Sequence, residues 1–409
     1  MQDQGVRIKR ITKLEIETGE KLMENMENNE KLFRVGPIRP PSEANSLLLQ
    51  VTAGCTWNKC KFCQLYKNSP FKAFSVDSIK EDIDNMAYHA KIAEKYIGKG
   101  LGFRNYGEFE ECKTMTHSEL NCFYMMFNWL AHGGENVFLQ DGNSLALKAE
   151  RMEAVLLYLR ETFPGVKRVT TYARAETLAK ISVDQFKALK AAGLDRIHSG
   201  YETGSNEVLE LINKGVTAEQ EIRAGQNIKN SGIELSIYLM PGVGGKALSN
   251  ANALGTAEVI RAIDPDFIRI RTAVITKGSG LWEDYQNGTY ELCGDTDKIE
   301  EIRLIIENTR ECTGQLVSGD HIVNLLPEVN GRLDKDHHKM LSVIDEYLAL
   351  PPLKQRVYQL FKRQASVSKP SDLDSISKFD MDEAEAFCKS FATDKEWDRE
   401  INKMMSRFI

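Results

Sequence analysis

The stretch Leu47-Leu48-Leu49-Gln50-Val51-Thr52-Ala53-Gly54-Cys55-Thr56-Trp57-Asn58-Lys59-Cys60-Lys61-Phe62-Cys63 sets a short apolar run directly before three cysteines spaced C-x4-C-x2-C. The run reads as a buried strand and the cysteines as the loop that leaves its end. No fourth ligand stands nearby. A structural zinc site closes with four thiolate or imidazole ligands, whereas three thiolates on a four-iron cluster leave one iron open to bind something else. Ligand number alone leaves zinc open, with His89 or Cys112 the nearest residues to complete it.

Outward from this loop, apolar runs alternate with amphipathic stretches. The runs are Leu47–Thr52, Val137–Gln140, Arg168–Tyr172, Arg196–Gly200, Glu234–Leu239 and Phe267–Thr272. Between them, Val76–Ala93, Ala149–Thr162, Val183–Ala192, Thr217–Asn230 and Asn250–Ala262 are each long enough for a crossover helix. Such alternation predicts an α/β chain, a partial (β/α)6 TIM-type barrel of parallel strands joined by right-handed crossovers. The expected division is an N-terminal extension over 1–46, a barrel over 47–285 with an insertion at 98–134, and a C-terminal helical region over 286–409. In the last of these, Asp297–Cys312, His337–Leu348 and Pro351–Gln364 read as helices. In Ser318-Gly319-Asp320-His321-Ile322-Val323-Asn324, Asp320 reads as the N-cap of a helix whose first turn holds His321; a second reading has the pair reaching a substrate cavity.

Composition bounds the function. The 409 residues carry 42% hydrophobic and 27% charged residues and a net charge of −6. That balance is globular, and its acidity argues against a nucleic-acid partner, which counterion release favours only on a basic face. No run approaches the ~18 apolar residues of a membrane span, so a cytoplasmic protein with no membrane association is expected. Cys112, Cys122, Cys293, Cys312 and Cys388 are scattered and read as buried free thiols of a reducing compartment.

The cysteine loop after a first strand, with the aromatic Phe62 just before the last cysteine and a βα pattern beyond, resembles the radical S-adenosylmethionine (SAM) superfamily. The segment Gly193-Leu194-Asp195-Arg196-Ile197-His198-Ser199-Gly200-Tyr201-Glu202-Thr203-Gly204-Ser205, followed by Lys214-Gly215, is similar to the fourth-strand region of its methylthiotransferase, Elongator-like and coproporphyrinogen-dehydrogenase-like branches. The resemblance implies a [4Fe-4S] cluster on Cys55, Cys60 and Cys63 whose open iron chelates SAM. It also implies Phe62 near the adenine and Glu202 in the SAM pocket, although Glu202 also reads as a cap for a helix near Ser205. Gln140, Asp141 and Asn143 stand where the family carries Gly-Gly-Glu, the motif that holds the SAM amino group. Gly133-Gly134-Glu135 precedes the strand and reads as a helix-ending turn. Arg174 is matched to the SAM carboxylate or to a salt bridge with Glu176, and the Met240 segment to the adenine and ribose. The family's usual first gap is three residues, and here it is four.

The activity so implied is reductive cleavage of SAM to a 5'-deoxyadenosyl radical that abstracts hydrogen from a substrate the sequence does not identify; no catalytic residue beyond the cofactor ligands is assigned. An electron donor such as flavodoxin or ferredoxin is the implied partner. Two alternatives stand beside it: an RNA-modifying radical SAM enzyme, and a zinc-binding or non-catalytic cofactor-binding barrel.

Overall fold

The computed structural model describes residues 30–408, so most of the expected N-terminal extension lies outside the described residues. All six apolar runs are strands: β1 (Leu47–Gln50), β2 (Asn136–Gln140), β3 (Arg168–Tyr172), β4 (Arg196–Glu202), β5 (Glu234–Leu239) and β6 (Phe267–Ile270). The helices before β4 are α1 (Val76–Ile97), α2 (His117–Ala131), α3 (Ala149–Thr162) and α4 (Val183–Ala191). Those after it are α5 (Asn206–Leu211), α6 (Ala218–Lys229), α7 (Ser249–Ile263), α8 (Gly280–Gln286) and α9 (Asp295–Glu307). The α/β class, with mostly parallel strands, is as expected.

The chain divides into two compact units. One gathers the residues up to Cys55 with Pro70–Tyr172 and Ala188–Arg196; the other holds Thr56–Ser69, Ala173–Lys187 and Ile197 onward. In the first, β1 pairs in parallel with β2 and β2 with β3. Leu47, Leu49 and Val51 are buried on this sheet; full burial of such a side chain contributes about 1.5–3 kcal/mol. α1 starts at the Ser75 cap, whose hydroxyl accepts from the Ser78 amide at 3.2 Å. The stretch 98–134 holds α2, opened by a Thr116–Glu119 capping box, and packs on α1 through Phe109, which stacks on Tyr96 in a cluster with Phe123 and Phe127.

In the second unit β5 pairs in parallel with β6. The strand pattern does not stop there. A three-residue strand β7 (Gln315–Val317) pairs in parallel with β6, and β8 (Gly331–Arg332) returns antiparallel on β7. Elements this short leave no periodicity to read. Helices α10 (Leu333–Leu348), α11 (Pro352–Arg363), α12 (Lys378–Lys389) and α13 (Asp394–Met405) follow. No helix begins at Asp320, whose carboxylate instead binds Arg269 on β6. The N-cap reading of Asp320 is thereby corrected: the buried guanidinium outcompetes a helix start for the carboxylate. The last helix is tied to the chain that leaves β6, since the Asn402 amide exchanges two hydrogen bonds with the Ile275 backbone, at 2.9 and 2.8 Å.

Candidate active site

In the first unit, β2 ends on three buried polar residues. The Gln140 amide is engaged by chain that precedes β1: it donates to Gly36 O at 3.0 Å and to Ile38 O, and accepts from the Gly36 amide at 2.8 Å. Asp141 accepts from the Gly54 amide at 3.3 Å, and its own amide donates to Thr52 at 3.3 Å. Asp141 therefore sets the backbone one residue before Cys55. Gly54 turns there at φ +78°. Asn143 is wholly buried beyond them.

The second unit assembles most of the remaining predicted residues. Its loop Thr56–Ser69 is strapped down on several sides. The Lys61 amide donates to Ile212 O at 2.9 Å, and Lys61 O accepts from Leu281 N at 3.0 Å. Lys61 Nζ lies 2.8 Å from Asp284. The Asn213 amide donates to Lys59 O at 3.2 Å, and Trp57 Nε1 to Asn213 O at 2.7 Å. Asn58 stands at φ +53°, a conformation asparagine tolerates better than most residues. Phe62 packs, with Met240, on a cluster that includes Val208, Ile212, Ala273 and Leu281.

Glu202 ends β4 at φ +69°. Its carboxylate lies over Gly200, where any Cβ would stand 2.2 Å from Oε1. Its carboxylate takes no bond from an α5 amide. Instead it pairs with Lys214 at 2.7 Å, the two side chains being 10% and 8% exposed. Lys214 also lies 5.6 Å from the Phe62 ring centroid. Burial works against its charge, but Glu202 and Cys60 outweigh it and raise the ammonium overall. Arg174 donates to Lys214 O at 2.7 Å, lies 4.0 Å from Glu176 and stacks 5.5 Å from the Trp57 ring. Met240 N donates to Glu202 O at 2.8 Å. Lys214 and Trp57 were given no role from sequence; the signal for Lys214 was the Lys-Gly pair following α5.

Burial raises the Cys60 thiol, opposed by Lys214 and Arg174. Cys55 and Cys63 are partly exposed, and all eight cysteines are free. Among the described residues no group of three or more His, Cys, Asp or Glu is gathered for a metal ion. Neither candidate for a zinc ligand looks outward: Cys112 lies in the Tyr96–Phe109 aromatic cluster, and His89 Nε2 is 2.6 Å from Lys31 O. The donor set fits an iron-sulfur cluster, because thiolates are its ligands and two cations flank the buried one.

A family model for the radical SAM superfamily matches residues 123–251. Over those residues this chain is similar to the radical SAM superfamily. The matched span runs from α2 into α7 and excludes the cysteine loop. A tRNA uridine(34) acetyltransferase of Methanocaldococcus jannaschii is 32% identical over 112 residues, 27% of this chain and 20% of that protein. An uncharacterized methyltransferase of Pyrococcus horikoshii is 29% identical over 97 residues, 24% of this chain and 21% of its own. Among solved structures, Escherichia coli coproporphyrinogen III oxidase, described as a radical SAM enzyme, has 14% identity and a TM-score of 0.40, over 66% of this chain and 52% of that one. The chain thus spans about a fifth of the length of the curated relatives it matches. Among its described residues no helix is long and apolar enough to cross a membrane.

Proposed function

We propose that the protein is a radical SAM enzyme that holds a [4Fe-4S] cluster on Cys55, Cys60 and Cys63 and binds SAM. The observation that carries this reading is the Glu202–Lys214 pair, buried on the same unit as Cys60, Cys63, Phe62 and Met240. When bound, the cluster and SAM supply one electron and a hydrogen-abstracting 5'-deoxyadenosyl group. This chain's residues do the rest. Phe62 and Met240 offer an apolar wall for adenine, and Glu202, fixed by Lys214, offers a carboxylate to a polar part of SAM. Asp141 holds the backbone that leads into Cys55, and Arg174 keeps the Lys214 carbonyl and the Trp57 ring in position. Gln140 acts as a tether for Gly36–Ile38 and is given no cofactor contact. An electron donor of the flavodoxin or ferredoxin kind and a cytoplasmic location belong to the same proposal.

Anaerobic reconstitution with iron and sulfide tests it. The expected result is close to four irons per chain and 5'-deoxyadenosine on adding SAM and dithionite, both lost in Cys60→Ala. One bound zinc, no visible absorption and no SAM cleavage would refute it. A second reading, RNA modification, is favoured by the match to a tRNA-modifying relative. Net acidity does not outweigh that match, since a local basic face suffices for RNA. Incubation of the reconstituted protein with bulk tRNA, followed by nucleoside mass spectrometry, separates the readings: a new modified nucleoside is expected only under the second.

A further inference from the structure

At the C-terminal end of β6, two arginines and a histidine lie beside the strands. Ile268 and Ile270 on β6 are buried. Arg269, on the alternate face, donates through Nε to Ser236 at 3.1 Å and through Nη1 to Asp320. Arg271 lies two residues further along. Its amide still donates to Leu239 O at 2.9 Å, so the extended pairing continues and Arg271 shares the face of Arg269. Arg271 is exposed, and among the described residues no carboxylate pairs with it.

The loop that carries Asp320 and His321 is fixed against this strand end by Asn324. The buried Asn324 amide donates to Ile270 O at 2.7 Å and to Ser318 O at 2.8 Å. Its oxygen accepts from Thr272 N at 3.0 Å and from Thr272 Oγ1 at 2.8 Å. An amide with all these bonds leaves the loop one position to adopt. His321 Nδ1 accepts from Val323 N at 3.4 Å, so the ring proton belongs on Nε2. Burial, reinforced by the charge on Arg271, holds His321 down at about 4, so the ring is neutral at physiological pH. The cluster therefore offers the Arg271 guanidinium and the His321 Nε2–H, both donors. Asp320, the one acid, is committed to Arg269, and the net charge of the four groups is positive.

We propose that Arg271 and His321 form a subsite for an anionic group, a carboxylate or phosphate, carried by the substrate. Its place fits a substrate role, since barrels of this class put their chemistry at the C-terminal strand ends, and a guanidinium with a neighbouring neutral donor suits an oxyanion. The inference deepens the enzyme reading and rests on it for the word substrate; the anion site itself does not need a cluster.

Calorimetric titration of the as-isolated full chain with inorganic phosphate and, separately, with glutarate tests it, at ionic strength fixed with choline chloride. One saturable site is expected for at least one anion, and the stronger of the two tells phosphate from carboxylate. Arg271→Gln should weaken it about tenfold and His321→Leu about threefold, as expected for loss of a charged and of a neutral hydrogen bond. The unfolding midpoint of Arg271→Gln should match wild type, because that side chain is exposed. SAM affinity of the reconstituted Arg271→Gln protein should stay within about twofold of wild type. No saturable site for either anion, or equal affinity in Arg271→Gln, overturns the proposal. So does a collapse of SAM affinity, which would assign Arg271 to the cofactor. A protein that fails to form 5'-deoxyadenosine would still give these titrations, so the two readings fail separately.

Discussion

Gly215→Ala should loosen the cysteine loop from a distance of many residues in sequence. Gly215 stands at φ +69°, and a Cβ built there would meet the Trp57 indole at 2.5 Å. The left-handed backbone alone costs an alanine about 1–2 kcal/mol. The indole must also leave, forfeiting its bond to Asn213 O, about 0.5–1.5 kcal/mol. It further loses its stacking with Arg174 at 5.5 Å and Lys59 at 5.0 Å, together about 0.5–1 kcal/mol at a half-exposed site. The sum is about 2–4.5 kcal/mol, measured as a shift in the urea midpoint at unchanged slope. Amide exchange over Thr56–Cys63 should quicken in the same protein, and iron retained after reconstitution should fall. In a Trp57→Ala background the same glycine change should cost only the backbone part, giving a coupling of about 1–2.5 kcal/mol in the double-mutant cycle. Zero coupling, or a Gly215→Ala protein as stable as wild type, would refute the docking of Trp57 as the anchor.

Further outcomes follow from the buried charges and thiols. Lys214→Met strands the Glu202 carboxylate and should cost about 3–5 kcal/mol, while Glu202→Gln with Lys214→Met should regain a large part of it; denaturant unfolding of both variants decides, and a single-variant cost below about 1 kcal/mol would contradict the pairing. Burial pushes the Glu301 carboxyl up to about 7 against its ordinary 4.5, although Ser249, Gly242 and Asn252 all donate to it. The folded state thus holds a proton that the unfolded chain releases, so this contribution is full below about pH 4.5 and lost as pH rises through about 7. At about 1.4 kcal/mol per pH unit the decline is on the order of 3 kcal/mol, and Glu301→Gln should flatten it in a pH series of unfolding curves. Burial raises the thiols of Cys112, Cys122, Cys312 and Cys388 to about 11, so at pH 8 iodoacetamide should modify the partly exposed Cys55 and Cys63 first. Peptide mass spectrometry reads this order, and Cys112 reacting as fast as Cys63 would contradict it.

The periodic parts of the fold were legible because periodicity is a local property. Every long amphipathic stretch between the apolar runs is a helix, and β1 to β6 stand where those runs lie. Strand β7 escaped because three residues show no alternation. Asp320 was misread for a related reason: a capping motif is judged from neighbouring residues, while its competitor Arg269 lies on a strand 51 residues earlier. Within the candidate site, residue types were readable and partners were not. Glu202 could be singled out, but not that Lys214 neutralises it; Arg174 could be singled out, but not that it binds a backbone carbonyl as well as facing Glu176. Gln140 carries the polar atoms the motif position suggested and directs them to Gly36 and Ile38. Each of these depends on side chains meeting across long sequence separations, which spacing does not encode.

The straps on the cysteine loop bear on how that loop could be transplanted. Its shape is written partly in Ile212–Gly215 and partly in Leu281–Asp284, so a synthetic peptide spanning Cys55–Cys63 would carry the three cysteines without the mould. The left-handed Asn58 follows Trp57 directly, so the chain pivots there and can send the indole toward Gly215 before returning to Cys60. A shortened C-x3-C loop made by removing Asn58 would lose that pivot, and with it the freedom to dock the tryptophan while keeping the course of the chain into Cys60.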